Sequence, residues 1–373
     1  MAEKTEKIRF IALAKKEAKE VLQIITENYE EEFHSPVRIE RFLEEIASSR
    51  VYCITFRNGW RAVLKQSFWY SGKGAIEAIE KAQEVSQALR LQGVPLPMAY
   101  LTLKGKYTAG YNGDQITLLE YIEGEYFTAD DRQFIEAGRA LAVFHREGEA
   151  FLRKYPIERA MIAEKIPVEK PYEESRVIYD KLRRDFLTEH QCSVPDVCAA
   201  VRDHIHIFDQ TIKMLDGSGI SNRKLSSGIV HNDFNVKNCF FKKDGAFSCF
   251  IDTDQLGVAP FVWDVGNTLL SFLSSISSTS RSNVNYEHSA ELFLAAYHRE
   301  HPLPLNEYLL IIAAAVRWNM MRILRSLRRH HYENDRLVNL LPKIKSRLIA
   351  RIIQTPQIFS FLDENWLRKK IVI

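Results

Sequence analysis

Cysteine is scarce in this chain. Five residues in 373, Cys53, Cys192, Cys198, Cys239 and Cys249, form an odd set with no regular spacing. A disulfide-stapled secreted scaffold and a zinc ribbon are therefore excluded, and a reducing cytosol is the expected compartment. Cys192, Cys198 and nearby His190 do not make a metal-ligand pattern. An excess of one charge is missing too. A formal net charge of +3 supplies no strong field for nucleic acid or an anionic membrane surface. Long apolar runs are absent as well: the run "YLLIIAAAV", Tyr308–Val316, is far too short to span a bilayer. The opening "MAEKTEKIRFIALAKKEAKE" is charged throughout and lacks a signal-peptide core. These absences predict a cytoplasmic protein with neither nucleic acid nor membrane as a partner.

What is present is a change of character along the chain. Residues 5–31 are rich in Ala, Glu, Lys and Ile, with Phe10, Leu13, Val21 and Ile24 or Ile25 at helical spacing. "RVYCITFRNGWRAVLKQ" (50–66) holds two β-rich runs joined by Asn58-Gly59, a hairpin signal. A helical stretch, Gly74–Leu91, is stopped by "GVPLP", and "QITLLEYIEGEYF" (115–127) reads as a further strand. Helix dominates from Asp130 onward, with apolar Phe134, Ile135, Leu141 and Phe144. The exceptions are a β island at 229–251, whose hairpin turns at Asp244-Gly245, and the Ser-rich 271–283, which reads as a loop. This is an α+β fold: a small β-rich lobe over 1–124, then a larger, mostly helical lobe over 125–373.

Within the island, "VHNDFNVKNCFF" sets Asp233 five residues before Asn238. Asp is a poor strand former and costly to bury, so chemistry is the better explanation. In phosphoryl transfer an Asp orients the attacking hydroxyl, and an Asn shares a magnesium ion with a second Asp. Asp252, at the end of "CFI", supplies that second carboxylate, and the Asp-Gly hairpin folds it back beside Asn238. Lys65, at the end of the apolar strand "RAVLK", is the cation such a site needs against phosphates; taken alone it also fits a solvent-facing strand end. The reading requires Lys65, Asp233, Asn238 and Asp252 to converge.

"HNDFNVKNCFF" followed by "FIDTDQLGVAPFVWDVGN" resembles the paired signature of the aminoglycoside phosphotransferase and choline kinase-like family, H-G-D-x4-N and I-D-x4-G-x2-P-x3-D. "LLEYIEGE", "AGRALAVFHRE" and "LRLQGVPLP" resemble that family's hinge, the helix after it and the exit from its lysine-pairing helix. The resemblance implies a bilobal protein kinase-like fold that transfers phosphate from ATP, with Mg2+, to a small-molecule hydroxyl. GTP is an open alternative. It implies Asp233 as catalytic base, Asn238 and Asp252 as metal ligands, and Lys65 on the nucleotide phosphates. Glu120, Tyr121 and Ile122 would line the adenine, while Asp264 and His231 would support the catalytic loop. Ser48 and Ser49 stand where a glycine-rich phosphate-covering turn is expected. Glu80 or Glu84, with Glu77 behind them, would pair with Lys65. Asn232 replaces the family's Gly, which is tolerable in the left-handed region.

For the acceptor, "AAAVRWNMMRILRSLRRHHYEND" carries Arg317 beside Trp318, followed by Arg322, Arg325, Arg328 and Arg329. A basic pocket favours an anionic or amino-acid-like alcohol, and the stretch loosely resembles the C-terminal helices of homoserine kinase-like proteins. A solvated helix face is the competing reading. Two other functions share the fold: a protein Ser/Thr kinase, for which no activation segment is visible, and a catalytically silent, spore-coat-like binding protein.

Overall fold

The computed structural model describes residues 10–42, 49–68, 75–155, 205–220, 224–276, 285–332 and 357–371, with a few positions between 176 and 203 and at 354–355. The chain divides into two compact units. One takes the described residues up to Thr128 together with Tyr155 and Lys237–Leu256; the other takes Ala129–Lys154, the described positions from 176 to Val236, and those from Gly257 on.

The first unit is built on a six-stranded antiparallel sheet. Its strands are β1 (Phe10–Ala12), β2 (Pro36–Phe42), β3 (Ser49–Phe56), β4 (Arg61–Ser67), β5 (Thr108–Tyr111) and β6 (Asp114–Glu120), in the order β1-β2-β3-β4-β6-β5. The Asn58-Gly59 turn joins β3 to β4 as its sequence predicts, with Gly59 at φ +80. Side chains alternate along a strand. Thus Ala62 and Leu64 of β4 face a core shared with Ile54, Ile116 and the helix α1 (Lys15–Asn28), which contributes Val21, Ile24 and Ile25. Lys65, between Leu64 and Gln66, is thereby turned to the opposite face. There the helix α2 (Ala75–Leu91) lies against a single 3-10 turn at Thr253–Gln255. A hairpin of β8 (Cys239–Phe241) and β9 (Phe247–Phe250) belongs to this unit. It is tied in by the Glu125–Phe241 bridge and by Phe250 N donating to Pro95 O at 2.9 Å.

The second unit is helical. It comprises α3 (Asp131–Lys154), α4 (Ile205–Ser218), α5 (Phe261–Ile276), α6 (Tyr286–Glu300), α7 (Ile311–Tyr332) and α8 (Glu364–Lys370), with one short turn at Leu305–Tyr308. A two-stranded ribbon pairs β7 (Ser227–Val230) with β10 (Gly257–Pro260). Phe134, Leu141 and Phe144 of α3 are buried as their spacing predicts.

Three expectations are corrected. Phe10 belongs to a strand, since Phe10–Ala12 finds edge partners on β2 that outweigh its local helical pattern. The strand read over 115–127 ends at Glu120. The serine run continues α5 as far as Ile276, because its apolar members Phe272, Leu273 and Ile276 sit on the buried face; positions 277–283 lie outside the described residues. Cys192, Cys198, His190 and Ser48 lie outside them too. Among the described residues, no helix is long and apolar enough to cross a membrane.

Candidate active site

In the first unit, the chain leaves β9 through Asp252, whose backbone is left-handed at φ 63, ψ 55. Aspartate is one of the few residues with a side chain that visits this region readily. The kink sends Asp252 and Asp254 out on either side of Thr253, and both carboxylates accept hydrogen bonds from the Lys65 ammonium, that of Asp254 at 2.6 Å. Asp254 is buried and Lys65 nearly so, their side chains 8% and 13% exposed, whereas that of Asp252 is 37% exposed. Burial by itself would pull the Lys65 ammonium down; the two carboxylates outweigh it and hold its pKa above the ordinary lysine range. Gln83 of α2 steadies the group by donating to Asp254 Oδ1 at 3.2 Å.

Neither expected glutamate makes the pair with Lys65. Glu80 spends its carboxylate on Tyr107 N at 2.9 Å, Thr108 N at 2.8 Å and the Thr108 hydroxyl at 2.6 Å, fastening α2 to β5. Glu84 pairs with Lys81. The partners of Lys65 come from the 3-10 turn because a strand residue on that face points at it. Asp254 and Gln83 were missed by the sequence reading; the Asp-x-Asp spacing after a buried strand was the available signal for the first.

Asn238 stands at the other end of the β8–β9 hairpin. Its carbonyl accepts from Ile251 N at 3.0 Å, so the hairpin register brings it alongside the residue preceding Asp252. Among the described residues, no three His, Cys, Asp or Glu side chains gather into a metal cage. Two carboxylates with one amide oxygen nevertheless suit magnesium, which is usually held by one or two carboxylates plus substrate phosphates. Elsewhere in this unit the chain leaves the sheet at Glu120 and is bridged again only at Glu125. Residues 121–124 thus lie outside any strand, Tyr121 stacking under Arg61 with the guanidinium 3.9 Å from its ring centre. Glu120 accepts from Met98 N at 3.1 Å. Ser49 is buried in β3, paired with Ser67, and is not part of an open turn.

In the second unit, the loop carrying Asp233 is held from below by α5. Asp264 is 2% exposed. It accepts from His231 N at 2.8 Å and Asn232 N at 3.0 Å, and from His145 Nε2 at 3.1 Å. With Nε2 donating, a neutral His145 has Nδ1 left to accept from the Tyr297 hydroxyl at 2.7 Å. One turn further on, the Thr268 hydroxyl donates to Phe234 O at 3.1 Å, and Asn235 Nδ2 donates to Asp233 O at 2.9 Å. Asn232 has φ 64, the left-handed geometry in which Asn substitutes best for Gly. The His231 ring is fully buried between Phe144 and Phe234. Asp233 itself is half-buried at the crest of this clamped loop.

Arg317 is no solvated face residue. It is 2% exposed, its guanidinium 3.5 Å from the centre of the Trp263 ring, and Trp318 is buried as well. The side chains of Arg322, Arg325, Arg328 and Arg329 lie outside the described residues.

A sequence profile described as "Phosphotransferase enzyme family" matches residues 39–303. Comparison with curated proteins finds no match. Solved structures share the fold at low identity. An aminoglycoside phosphotransferase from Alicyclobacillus acidocaldarius has TM-score 0.56 at 15% identity, over 91% of this chain and 96% of that one. An amicoumacin kinase in complex with AMP-PNP, Ca2+ and Ami has TM-score 0.59 at 16% identity, over 91% and 96%. A choline kinase from Cryptosporidium parvum has TM-score 0.55 at 10% identity, over 95% and 98%.

Proposed function

Because the chain belongs to the phosphotransferase enzyme family, we propose that it is a kinase transferring the γ-phosphate of ATP to the hydroxyl of a small molecule. The observation that carries this reading is the ion cluster of Lys65 with Asp252 and Asp254, beside the hairpin end that bears Asn238. A cation and two carboxylates held together serve a metal–triphosphate, whose phosphates pair with the ammonium and whose metal pairs with the acids.

In this reading Asn238, Asp252 and Asp254 would hold magnesium, which when bound neutralises phosphate charge. Lys65 binds the phosphate oxygens. The 121–124 segment offers main-chain groups to the adenine. Asp233 orients the acceptor hydroxyl and takes its proton as the new O–P bond forms and the bond from the γ-phosphorus to the β–γ bridging oxygen breaks, releasing ADP. The clamp of Asp264 and Thr268 keeps Asp233 in position, which matters because misplacement of a catalytic group is costly in rate. The small-molecule kinases named among the solved structures support an alcohol acceptor.

The test is magnesium-dependent ADP release in the presence of a panel of alcohols. Asp233→Ala should lower the rate by about 10²–10⁴-fold, with ATP still raising thermal stability. Turnover that survives the substitution would overturn the assignment of Asp233. A purified protein that neither binds nor hydrolyses ATP would overturn the kinase reading as a whole.

A further inference from the structure

In the first unit, the segment that would receive the base is anchored at both ends and bare in its middle. At its start, Glu120 N donates to Met98 O at 2.8 Å, and Met98 N to Glu120 Oε2 at 3.1 Å. At its end, Glu125 and Phe241 exchange main-chain bonds of 2.8 and 2.9 Å. Gly124 is pressed onto the same strand, since a Cβ there would fall 2.5 Å from Phe240 Cβ and 3.3 Å from Phe241 O. Between these anchors, among the described residues, no peptide N–H of 121–124 donates to a main-chain carbonyl. Such groups suit a ligand. A segment without main-chain bonds nevertheless loses conformational freedom when a ligand orders it, and that loss weakens affinity.

One side chain of the neighbouring strand supplies the missing restraint. Arg61 is the first residue of β4. Its guanidinium lies 3.9 Å from the centre of the Tyr121 ring and pairs with the Glu123 carboxylate. A planar guanidinium can stack on a ring while its N–H edge meets a carboxylate, which a lysine ammonium cannot do. Tyr121 and Glu123 flank Ile122, so one group grips the segment on both sides of its centre. The ion pair alone adds little, because the Glu123 side chain is 80% exposed and that of Arg61 34%. The ring contact is the stronger of the two. None of the three residues belongs to the core cluster of this sheet, so the restraint is local to the segment.

We propose that Arg61 is a positioning residue for the nucleotide: it pre-orders 121–124, so that the main-chain groups there meet the base with little further loss of freedom. This role rests on the kinase reading and adds to it the residue that tunes base affinity. Arg61 acts through Tyr121 and Glu123, not on the phosphates. Side chains alternate along a strand, so Lys65, four residues on, shares the face of Arg61. It lies about 13 Å away at strand rise. One face of β4 thus addresses the base segment at one end and the phosphates at the other. Loss of Arg61 should therefore weaken every ligand that carries the base and spare one that has phosphates alone.

The test compares the unaltered protein with Arg61→Met, which keeps the reach of the side chain and removes its charge and plane. The probes are ATP, adenosine and inorganic tripolyphosphate, each with magnesium, titrated by calorimetry at constant, physiological ionic strength. Loss of two partly exposed contacts should raise the Kd of ATP and of adenosine about three- to tenfold. Tripolyphosphate should stay within about twofold, because a charge about 13 Å away is beyond the screening length. KM for ATP should rise by the same factor as its Kd while kcat changes little. Both proteins should unfold at nearly the same urea concentration, since an exposed pair adds little to global stability. Unchanged affinity for ATP and adenosine, an equal weakening of tripolyphosphate, or a weakening matched by global destabilisation would overturn the role of Arg61. Failure of the kinase reading looks different: the unaltered protein itself would bind neither ATP nor tripolyphosphate, and Arg61 would have no nucleotide to position.

Discussion

Replacing Lys65 by methionine removes one cation and leaves two acids facing each other. The cost follows from burial. Lys65 and Asp254 are nearly out of solvent, at 13% and 8%, and removing one partner of such a pair costs about 3–5 kcal/mol. Asp252, at 37%, is screened by water and adds little. Gln83 keeps its hydrogen bond to Asp254, which points to the lower end, about 3 kcal/mol. In urea, with a slope of about 1–3 kcal/mol/M, the midpoint should fall by about 1–3 M. Magnesium should then recover part of the loss, stabilising Lys65→Met more than the unaltered protein, whose acids are already engaged by the ammonium. A ligand at a hundred times its Kd returns about 2.7 kcal/mol. A loss below about 1 kcal/mol, the value of an exposed pair, would refute the burial reasoning. Equal indifference of both proteins to magnesium would refute the metal assignment.

The same pair has a pH signature. Lys65 has its pKa raised on folding, so its contribution is complete below the unfolded value of about 10.4 and is lost only as pH climbs through the folded one. The stability gap between the unaltered protein and Lys65→Met, measured in urea, should therefore stay flat from about pH 7 to about pH 9. Asp264→Ala strips two backbone donors and His145 of their acceptor; chemical denaturation should show a loss of about 3–5 kcal/mol, and turnover should fall although Asp233 is intact. Asn232→Gly should change the unfolding free energy by less than about 0.5 kcal/mol, because relief at φ 64 is offset by a more flexible unfolded chain. Asn232→Val should cost about 1–3 kcal/mol more than the glycine variant, since a β-branched residue is badly strained there.

Much of this was legible because the chemistry is local in sequence. Asp233, Asn238 and Asp252 fall on one loop and one hairpin, and the Asn58-Gly59 and Asp244-Gly245 turns announce their strands. Lys65 could be placed by strand alternation. Its partners could not, because the choice between α2 and the 3-10 turn depends on which element the sheet face meets, and local periodicity is blind to that. The helix was read as the source of the charge, whereas it supplies Gln83 and spends Glu80 on β5. Phe10 failed for a related reason: an edge strand draws its stability from the neighbour it pairs with.

The β8–β9 hairpin has a consequence for biosynthesis. It is fastened to β-rich structure encoded more than a hundred residues earlier, through Phe241 to Glu125 and Phe250 to Pro95. A nascent chain therefore cannot complete its first unit when Thr128 leaves the ribosome; that unit must wait for Leu256. At about 5–20 residues per second the delay is on the order of ten seconds, during which the six-stranded sheet stands without its hairpin and is exposed to chaperones and proteases. For the same reason, residues 1–128 expressed alone should be recovered as an aggregate, whereas co-expression with a peptide covering 237–256 should improve their yield in solution.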